Sequence, residues 1–436
     1  MRTGLMDKQQ FNEGLLEFLS ESTTSFHAVQ AMSHRLVEAG FQAFDADTDL
    51  SPGSAGVFYA QAGSLIALLP GSGPLLDSGL RMVGAHTDSP CLMVKPQPEQ
   101  FDLGYLQLGI EVYGGALLNP WFDRDLSLAG RVSYQDVDGA VATTLVDFRD
   151  PIAVIPSLAI HLDREANNNR SINAQTQMAP LLSMNTGDFS LRDFLREHLR
   201  GKNIQIIEVL DYELCFYDTQ PPAQIGIQGE FIASARLDNL LSCYTGLQAL
   251  LEADGSQWAL LVCNDHEEVG SRSATGAQGP MLQYFLQAVL NNHGALPLLM
   301  QRSMMISADN AHAVHPSYPD KHDERHGPVI NGGPVIKMNV SQRYATTSDG
   351  AALFRLLARQ EDVGVQSFAM RADMACGSTI GPITAVELGV TTLDIGVPTF
   401  GMHSIRELAG SDDAWSLQCV LGAYFRHPAP LFAKGH

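Results

Sequence analysis

The sequence predicts an α/β protein with a mixed, largely parallel sheet flanked by helices and a mainly β domain inserted into it. Two patterns support this fold class: short apolar strings alternate with helical segments along most of the chain, and a long middle stretch carries only short β-like runs between turn residues. The length of 436 residues is also too great for one ordinary hydrophobic core. We therefore expect two domains, one of them interrupted by the other.

The elements of the α/β part are predicted from hydrophobic spacing. Apolar residues recur at helical spacing over residues 11–40, with a polar break at 22–25. Strings of strand length follow at 64–69, 80–84, 258–263, 304–307 and 390–395. Helical segments lie between several of these strings, at 240–252 and 280–292. Strands that alternate with helices favour a largely parallel sheet.

The middle of the chain has a different pattern. Its strand-like runs are short and separated by turn residues, at 109–113, 130–134, 142–146 and 204–215. We predict that residues 92–231 form an inserted, mainly β domain. Residues 1–91 and 232–436 then form one discontinuous α/β domain.

Charge and hydropathy argue against two classes of protein, those that bind nucleic acid and those that span a membrane. The formal net charge is −21 and the pI is near 4.9, so binding to nucleic acid is disfavoured. No window approaches the ~18 uninterrupted apolar residues of a membrane span. An acidic protein also repels acidic substrates at long range, so recognising one would require a locally cationic pocket.

Six cysteines are scattered along the chain without a CxxC pair. The first twelve residues are polar and lack the apolar region of a secretory signal. We therefore expect free thiols in a reducing compartment, most of them in the core, and a cytoplasmic location.

Potential metal ligands follow four of the apolar strings. They are His86 after the string at 80–85, Glu268 (next to Glu267) after 258–263, Asp309 after 304–307 and His403 after 391–397. The carboxyl ends of the strands in an open α/β sheet converge on one crevice, where ligands bind. Residues that are distant in sequence are thus predicted to meet there.

Each of these residues also has an ordinary structural explanation. A single histidine is more often a surface or core residue than a ligand, and Asp238 opens a helical segment, where aspartate is a common N-cap. The adjacent Glu267 and Glu268 fit a solvated surface, but beside a buried strand they need a neutralising cation. Two histidines with several carboxylates suit Zn²⁺ or a similar divalent ion, although the HExxH pattern is absent because Gly270 stands four residues after His266.

Nine ordered motifs together resemble one known family, the aspartyl aminopeptidases, which are dinuclear zinc metallo-aminopeptidases of the zinc exopeptidase fold. Those around the candidate ligands are residues 84–90, 235–239, 265–271, 307–312 and 401–404. Those elsewhere are residues 121–126, 155–161, 333–337 and 377–382. The resemblance covers almost the whole chain.

The resemblance implies a set of metal ligands. It assigns one zinc to His86 and Asp309, the other to Glu268 and His403, and a bridging position to Asp238, which gives two Zn²⁺ per subunit. It also implies that Glu267 is the general base. Asp88 would accept a hydrogen bond from the second ring nitrogen of His86 and so fix its tautomer.

The resemblance also implies a substrate and an assembly. The substrate is a peptide with a free, acidic N-terminal residue, aspartate or possibly glutamate, bound by His161, His312, Lys337 and Tyr344. The inserted domain would be a dimerisation domain whose His161 reaches a neighbouring active site, in a homo-oligomer such as a dodecamer built from dimers. From its sequence position alone Lys337 could equally be an exposed lysine, and His161 a surface residue.

Other functions are compatible with the same ligand pattern. They are a broad-specificity aminopeptidase, a carboxypeptidase, a deacylase and a non-enzymatic assembly or cargo protein that keeps the fold. The last is disfavoured because the candidate base and all the candidate ligands are present.

Overall fold

The structure is a computed structural model that describes residues 6–45, 48, 50–184, 187–290 and 293–432. The α-helices are α1 (Lys8–Glu21), α2 (Ser25–Glu38), α3 (Leu75–Ser78), α4 (Ala174–Gln177), α5 (Leu191–Gly201), α6 (Leu237–Leu251), α7 (Met281–Leu290), α8 (Leu296–Met300), α9 (Ser348–Gln360), α10 (Ile380–Leu388) and α11 (Asp413–Arg426). Within the described ranges, none of these helices combines the length and the apolarity that crossing a bilayer requires.

The strands are numbered in chain order. They are β1 (Gln42–Ala43), β2 (Val57–Gln61), β3 (Ser64–Leu69), β4 (Leu80–His86), β5 (Cys91–Asp102), β6 (Tyr105–Tyr113), β7 (Leu126–Asp136), β8 (Val141–Asp147), β9 (Leu181–Met184), β10 (Ile206–Asp218), β11 (Ala223–Ile225), β12 (Phe231–Ser234), β13 (Trp258–Asn264), β14 (Met304–Ala308), β15 (Ala311–His312), β16 (Val335–Met338), β17 (Gln366–Ala369), β18 (Thr391–Gly396), β19 (Pro398–Phe400) and β20 (Glu407–Gly410).

The largest sheet in the described part of the chain has nine strands in the order β1-β2-β3-β13-β4-β14-β18-β16-β17. Its four central strands, β13, β4, β14 and β18, are parallel to one another. Antiparallel pairs lie on both sides of these four, between β3 and β13 and between β16 and β18. The predicted mixed, largely parallel α/β sheet is confirmed.

The central strands are buried on both faces. Along β4, Val83 and Ala85 pack into one apolar cluster, with α1, α2, α6 and α11, whereas Leu80 and Met82 pack into another, with α7 and α8. This alternation follows from the two-residue period of a strand. Because helices cover both faces, the strands are mainly apolar along their whole length, which is why the sequence predicts them well.

Two compact units divide the chain. The first comprises the described residues up to Asp88, Pro222–Met402 and the described residues from Glu407 onward, and the second comprises Ser89–Pro221 with His403–Arg406. The predicted inserted domain was 92–231. The second unit ends before β11 because β11 pairs with β12, which continues to β20, in a five-stranded sheet of the first unit.

The second unit contains a six-stranded sheet in the order β8-β7-β10-β5-β6-β9, and all its strand pairs are antiparallel. Its core includes one face of α5, on which Leu191, Leu195 and Leu199 are fully buried. This helix was absent from the sequence prediction, although its apolar residues stand four apart and Ser190 caps its first turn by accepting a hydrogen bond from Asp193 N.

The cysteine predictions are partly wrong. All six cysteines are free, as predicted, but only Cys243 and Cys263 are buried. The other four are partly exposed. Three of them lie in regular elements, Cys91 in β5, Cys215 in β10 and Cys419 in α11. An apolar neighbourhood in the sequence does not guarantee that every residue of such an element is buried.

Candidate metal centre

Three of the predicted ligands meet at one end of the central sheet. His86 ends β4, Asp309 follows β14 directly, and Asp238 lies in the first turn of α6. All three are buried, and one ligand atom from each lies within 4.8 Å of the others. Parallel strands bring His86 and Asp309 together, as the convergence of their carboxyl ends requires.

His86 is held between two aspartates. Its Nε2 lies 3.5 Å from Asp238 Oδ1, while its Nδ1 lies 3.0 Å from the carbonyl oxygen of Asp88 and 3.4 Å from Asp88 Oδ1. Burial opposes a charge on the ring, yet contacts with Asp238 and Asp88 and the nearby charge of Glu267 raise the pKa of His86 well above its ordinary value. The site therefore favours a positive charge at this position.

Asp238 does not serve as the N-cap of α6. The residue before the helix is Arg236, in a left-handed conformation with φ 61°, and Asp238 itself has non-helical angles of φ −85° and ψ 102°. Its carboxylate faces His86. Of the two explanations that the sequence left open, this position beside His86 favours the metal ligand.

Glu267 and Glu268 lie in a short 3₁₀ helix after β13. One oxygen of each and a ring nitrogen of His86 lie within 4.8 Å of one another. The Asp88 carboxylate fixes this turn, since Oδ1 accepts a hydrogen bond from Glu267 N at 3.0 Å and Oδ2 accepts one from Glu268 N at 3.1 Å. Asp88 thus orients both glutamates as well as contacting His86.

The clustered carboxylates oppose one another's ionisation. Burial raises the pKa of Glu267 to about 8, against the lowering effect of His86 and with further raising by Asp309, Glu268 and Asp88. Burial likewise raises the pKa of Asp309 to about 7, against the nearby Lys337. Without a further cation, some of these groups hold protons near neutral pH.

These residues fit a divalent metal ion. His86 forms one group of donor atoms with Asp238 and Asp309 and another with Glu267 and Glu268, and in each group the three atoms lie within 4.8 Å of one another. Imidazole nitrogen with carboxylate oxygens is an N/O donor set that Zn²⁺ accepts. A buried cation would also relieve the repulsion that raises the carboxylate pKa values. Within the described ranges, every group with this donor geometry includes residues of this predicted set.

His403 lies in the second unit, in the segment His403–Arg406. Its backbone is left-handed, with φ 67°, and its Nδ1 lies 3.1 Å from the carbonyl oxygen of Gly115. That oxygen accepts the Nδ1 proton when the ring is the Nδ1–H tautomer, which leaves Nε2 as the ring's acceptor.

Lys337 is buried in β16, with 3% of its side chain exposed. Its Nζ lies 3.7 Å from Asp309 Oδ1 and 5.4 Å from the centre of the Tyr344 ring. The interpretation of Lys337 as an exposed lysine is therefore excluded. The Lys337 side chain thus carries a buried ammonium group, held between the face of an aromatic ring and a candidate metal ligand.

His312 and Tyr344 both contact Phe368, a residue that the sequence motifs do not predict. The ring of Phe368, in β17, lies edge-on to both, with centroids 6.1 Å from His312 and 6.4 Å from Tyr344. His312 is exposed, whereas Tyr344 is buried. Burial and a hydrogen bond with Cys376 raise the pKa of Tyr344, so the phenol stays neutral.

His161 is exposed in a turn region of the second unit. Ile160 and Leu162 on either side of it are 48% and 75% exposed, and Leu158 is 58% exposed. Consecutive exposed apolar residues of this kind are typical of an interaction surface. Within the second unit alone, His161 is thus a surface residue.

Comparison with known proteins supports the metal interpretation. Residues 18–425 match the family model described as aminopeptidase I zinc metalloprotease (M18). A curated relative from Pseudomonas putida, named a probable M18 family aminopeptidase 2, is 57% identical over 424 residues, which cover 96% of this chain and 99% of the relative.

Solved structures share the fold. The cryo-EM structure of a complex of Ape4 with Nbr1 contains a chain with a TM-score of 0.92 and 35% identity, covering 96% of this chain and 86% of that one. The mApe1 dodecamer of S. cerevisiae matches with a TM-score of 0.83 at 24% identity, covering 95% and 96%. From the family match and the close relative, this chain belongs to the M18 family of zinc metallo-aminopeptidases.

Proposed function

We propose that this aminopeptidase removes acidic N-terminal residues, aspartate and possibly glutamate, from peptides, and that it uses two zinc ions per subunit. The observation that carries the proposal is the burial of Lys337 against Asp309. It supports the proposal because a buried ammonium beside Asp309, a proposed zinc ligand, could select an acidic side chain. A local cation of this kind also overcomes the long-range repulsion between an acidic protein and an acidic substrate.

The chain offers ligands for both ions. His86 and Asp309 would hold one zinc, Glu268 and His403 the other, and Asp238 would bridge them. The buried group of His86, Asp238 and Asp309 supports the first ion, and His403 is included because of its sequence motif. When bound, zinc supplies a Lewis acid that lowers the pKa of water from ~16 to about 7 and can bind the α-amine of the substrate.

Glu267 is suited to move protons at its carboxylate. Burial raises the pKa of Glu267 to about 8 in the metal-free site, and a bound cation would lower this pKa and leave the carboxylate ionised as a base. Its Oε atoms would accept the proton of the attacking water and deliver it to the leaving amine. The hydrogen bond from Glu267 N to Asp88 fixes the turn that presents it.

Substrate selection would depend on the pocket around Lys337. Its ammonium would bind the carboxylate of the substrate side chain, with Tyr344, His312 and Phe368 as walls. A charge-assisted hydrogen bond of this kind is worth about 1.5–3 kcal/mol, which is enough for a clear preference. A broad-specificity aminopeptidase is the second candidate, and it would lack this preference.

The second unit is the proposed dimerisation domain. The exposed apolar residues around His161 support a subunit contact there, and the solved mApe1 relative is a dodecamer. We propose a homo-oligomer built from dimers, in which His161 reaches the active site of a neighbouring subunit. The cytoplasmic location remains a prediction from the sequence.

A substrate panel tests this function. We expect rapid hydrolysis of aspartyl peptides, slower hydrolysis of glutamyl and leucyl peptides, and none of N-terminally blocked aspartyl peptides. Chelation should abolish activity and zinc should restore it. Equal rates on aspartyl and leucyl peptides would favour the broad-specificity enzyme, whereas hydrolysis of the blocked peptide would contradict an aminopeptidase.

A further inference from the structure

Glu407 is not among the predicted metal ligands, but it contacts the backbone of Asp238, the proposed bridging ligand. Its Oε2 accepts a hydrogen bond from Asp238 N at 2.8 Å. The side chain is buried, with 3% of its surface exposed. Burying a carboxylate costs free energy unless it is hydrogen-bonded, and the bond from Asp238 N offsets part of that cost.

The sheet explains how Glu407 reaches this position. It is the first residue of β20, and it pairs with Ser234, the last residue of β12. The chain then turns through Arg236 into α6, so that Asp238 lies at the positive end of the helix. The helix N-terminus favours a negative charge, which offsets part of the cost of burying Glu407.

The backbone at Asp238 departs from a regular helix. Asp238 and Asn239 both have non-helical backbone angles, although they lie at the start of α6. The hydrogen bonds that hold this irregular turn include one from Leu240 N to the carbonyl oxygen of Arg236 at 3.2 Å, one from Asp238 N to Glu407, and one from Asn239 Nδ2 to the carbonyl oxygen of Ala308 at 2.7 Å. The bond to Glu407 is made by the backbone of Asp238 itself, so it contributes directly to the direction in which the Asp238 carboxylate faces His86.

We propose that Glu407 is a positioning residue of the metal centre, which holds Asp238 in its bridging orientation through the Asp238 N–H. The proposal rests on the proposed function, because it requires Asp238 to bind zinc. Partners of metal ligands typically contribute about 10–100-fold in metal affinity. Most such partners form a hydrogen bond with the side chain of the metal ligand, whereas Glu407 accepts one from the backbone N–H of Asp238.

Two variants separate the hydrogen bond from the charge. Glu407→Gln retains the length and an acceptor oxygen but removes the charge, whereas Glu407→Asp retains the charge but withdraws the carboxylate by one methylene. We expect zinc affinity, measured by competition with a chromogenic chelator, to fall about 10–100-fold in Glu407→Asp. Glu407→Gln should stay within about threefold of the unmodified protein, as expected when the bond matters more than the charge.

Asp413 provides a matched control. It is a fully buried carboxylate of the same unit that accepts hydrogen bonds from the backbone N–H groups of Asn331 and Gly333, at 2.6 and 2.8 Å. Asp413→Ala should lower the thermal stability and leave zinc affinity unchanged. A loss of stability alone therefore cannot mimic the expected result.

The outcomes are distinguishable. Equal zinc affinities for Glu407→Asp and the unmodified protein, or equal losses in both Glu407 variants, would overturn the positioning role. If the unmodified protein itself binds no zinc, the proposed function fails first. Loss in Glu407→Asp with retention in Glu407→Gln is the result that this role requires.

Discussion

Replacing Glu267 with glutamine should reduce kcat by about 10²–10⁴, the usual contribution of a general base, while zinc binding persists. Glutamine has nearly the same shape but cannot accept and return a proton. The turn should survive because Asp88 binds the backbone N–H of Glu267 rather than its side chain. Steady-state kinetics on an aspartyl peptide, with zinc content measured on the same sample, checks this.

The adjacent residue supplies the control for this prediction. Glu268→Gln alters a proposed ligand in the same turn, whose backbone N–H also binds Asp88, so it should lose zinc as well as activity. Near-normal kcat in Glu267→Gln with full zinc content would show that another group carries the proton. Loss of zinc in Glu267→Gln would instead make Glu267 a ligand.

Replacing Lys337 with methionine should remove the preference for acidic N-terminal residues. The loss of one charge-assisted bond of about 1.5–3 kcal/mol lowers kcat/KM for aspartyl peptides about 10–100-fold. Leucyl peptides, which do not use the ammonium, should change by only a few fold. The ratio of the two kcat/KM values is the measurement.

Lys337 also neighbours Asp309, so the metal must be checked. Its Nζ lies 3.7 Å from the Asp309 carboxylate, and zinc content should therefore accompany the kinetic comparison. Lys321→Met, at a lysine that is 63% exposed, controls for the loss of a positive charge. If Lys337→Met keeps the aspartyl-to-leucyl ratio at full zinc content, another residue selects the substrate.

The sequence predicts the convergence of the ligands because it follows from backbone geometry. β4, β13 and β14 are mainly apolar and buried along their whole length, and parallel strands place the residues that follow them at one edge of the sheet. His86, Glu268 and Asp309 could therefore be predicted without side-chain detail. The position of Asp238 beside His86 could not, because an aspartate at a helix start has an equally good use as an N-cap.

The remaining features depend on tertiary contacts. Glu407 reaches Asp238 only because β20 pairs with β12, two strands far apart in sequence. Phe368 lies beside His312 and Tyr344 because β16 pairs with β17, in which Phe368 stands opposite Lys337. Neither residue follows a recognisable spacing, since long-range strand pairing is set by the whole fold rather than by local pattern.

Zinc titration of the metal-free protein tests the central claim most directly. Zinc is added in known equivalents per chain, and the hydrolysis of an aspartyl peptide is followed at each step. The proposed dinuclear site predicts that activity rises to its maximum at two equivalents. A maximum at one equivalent, or activity that persists in the metal-free protein, would contradict it.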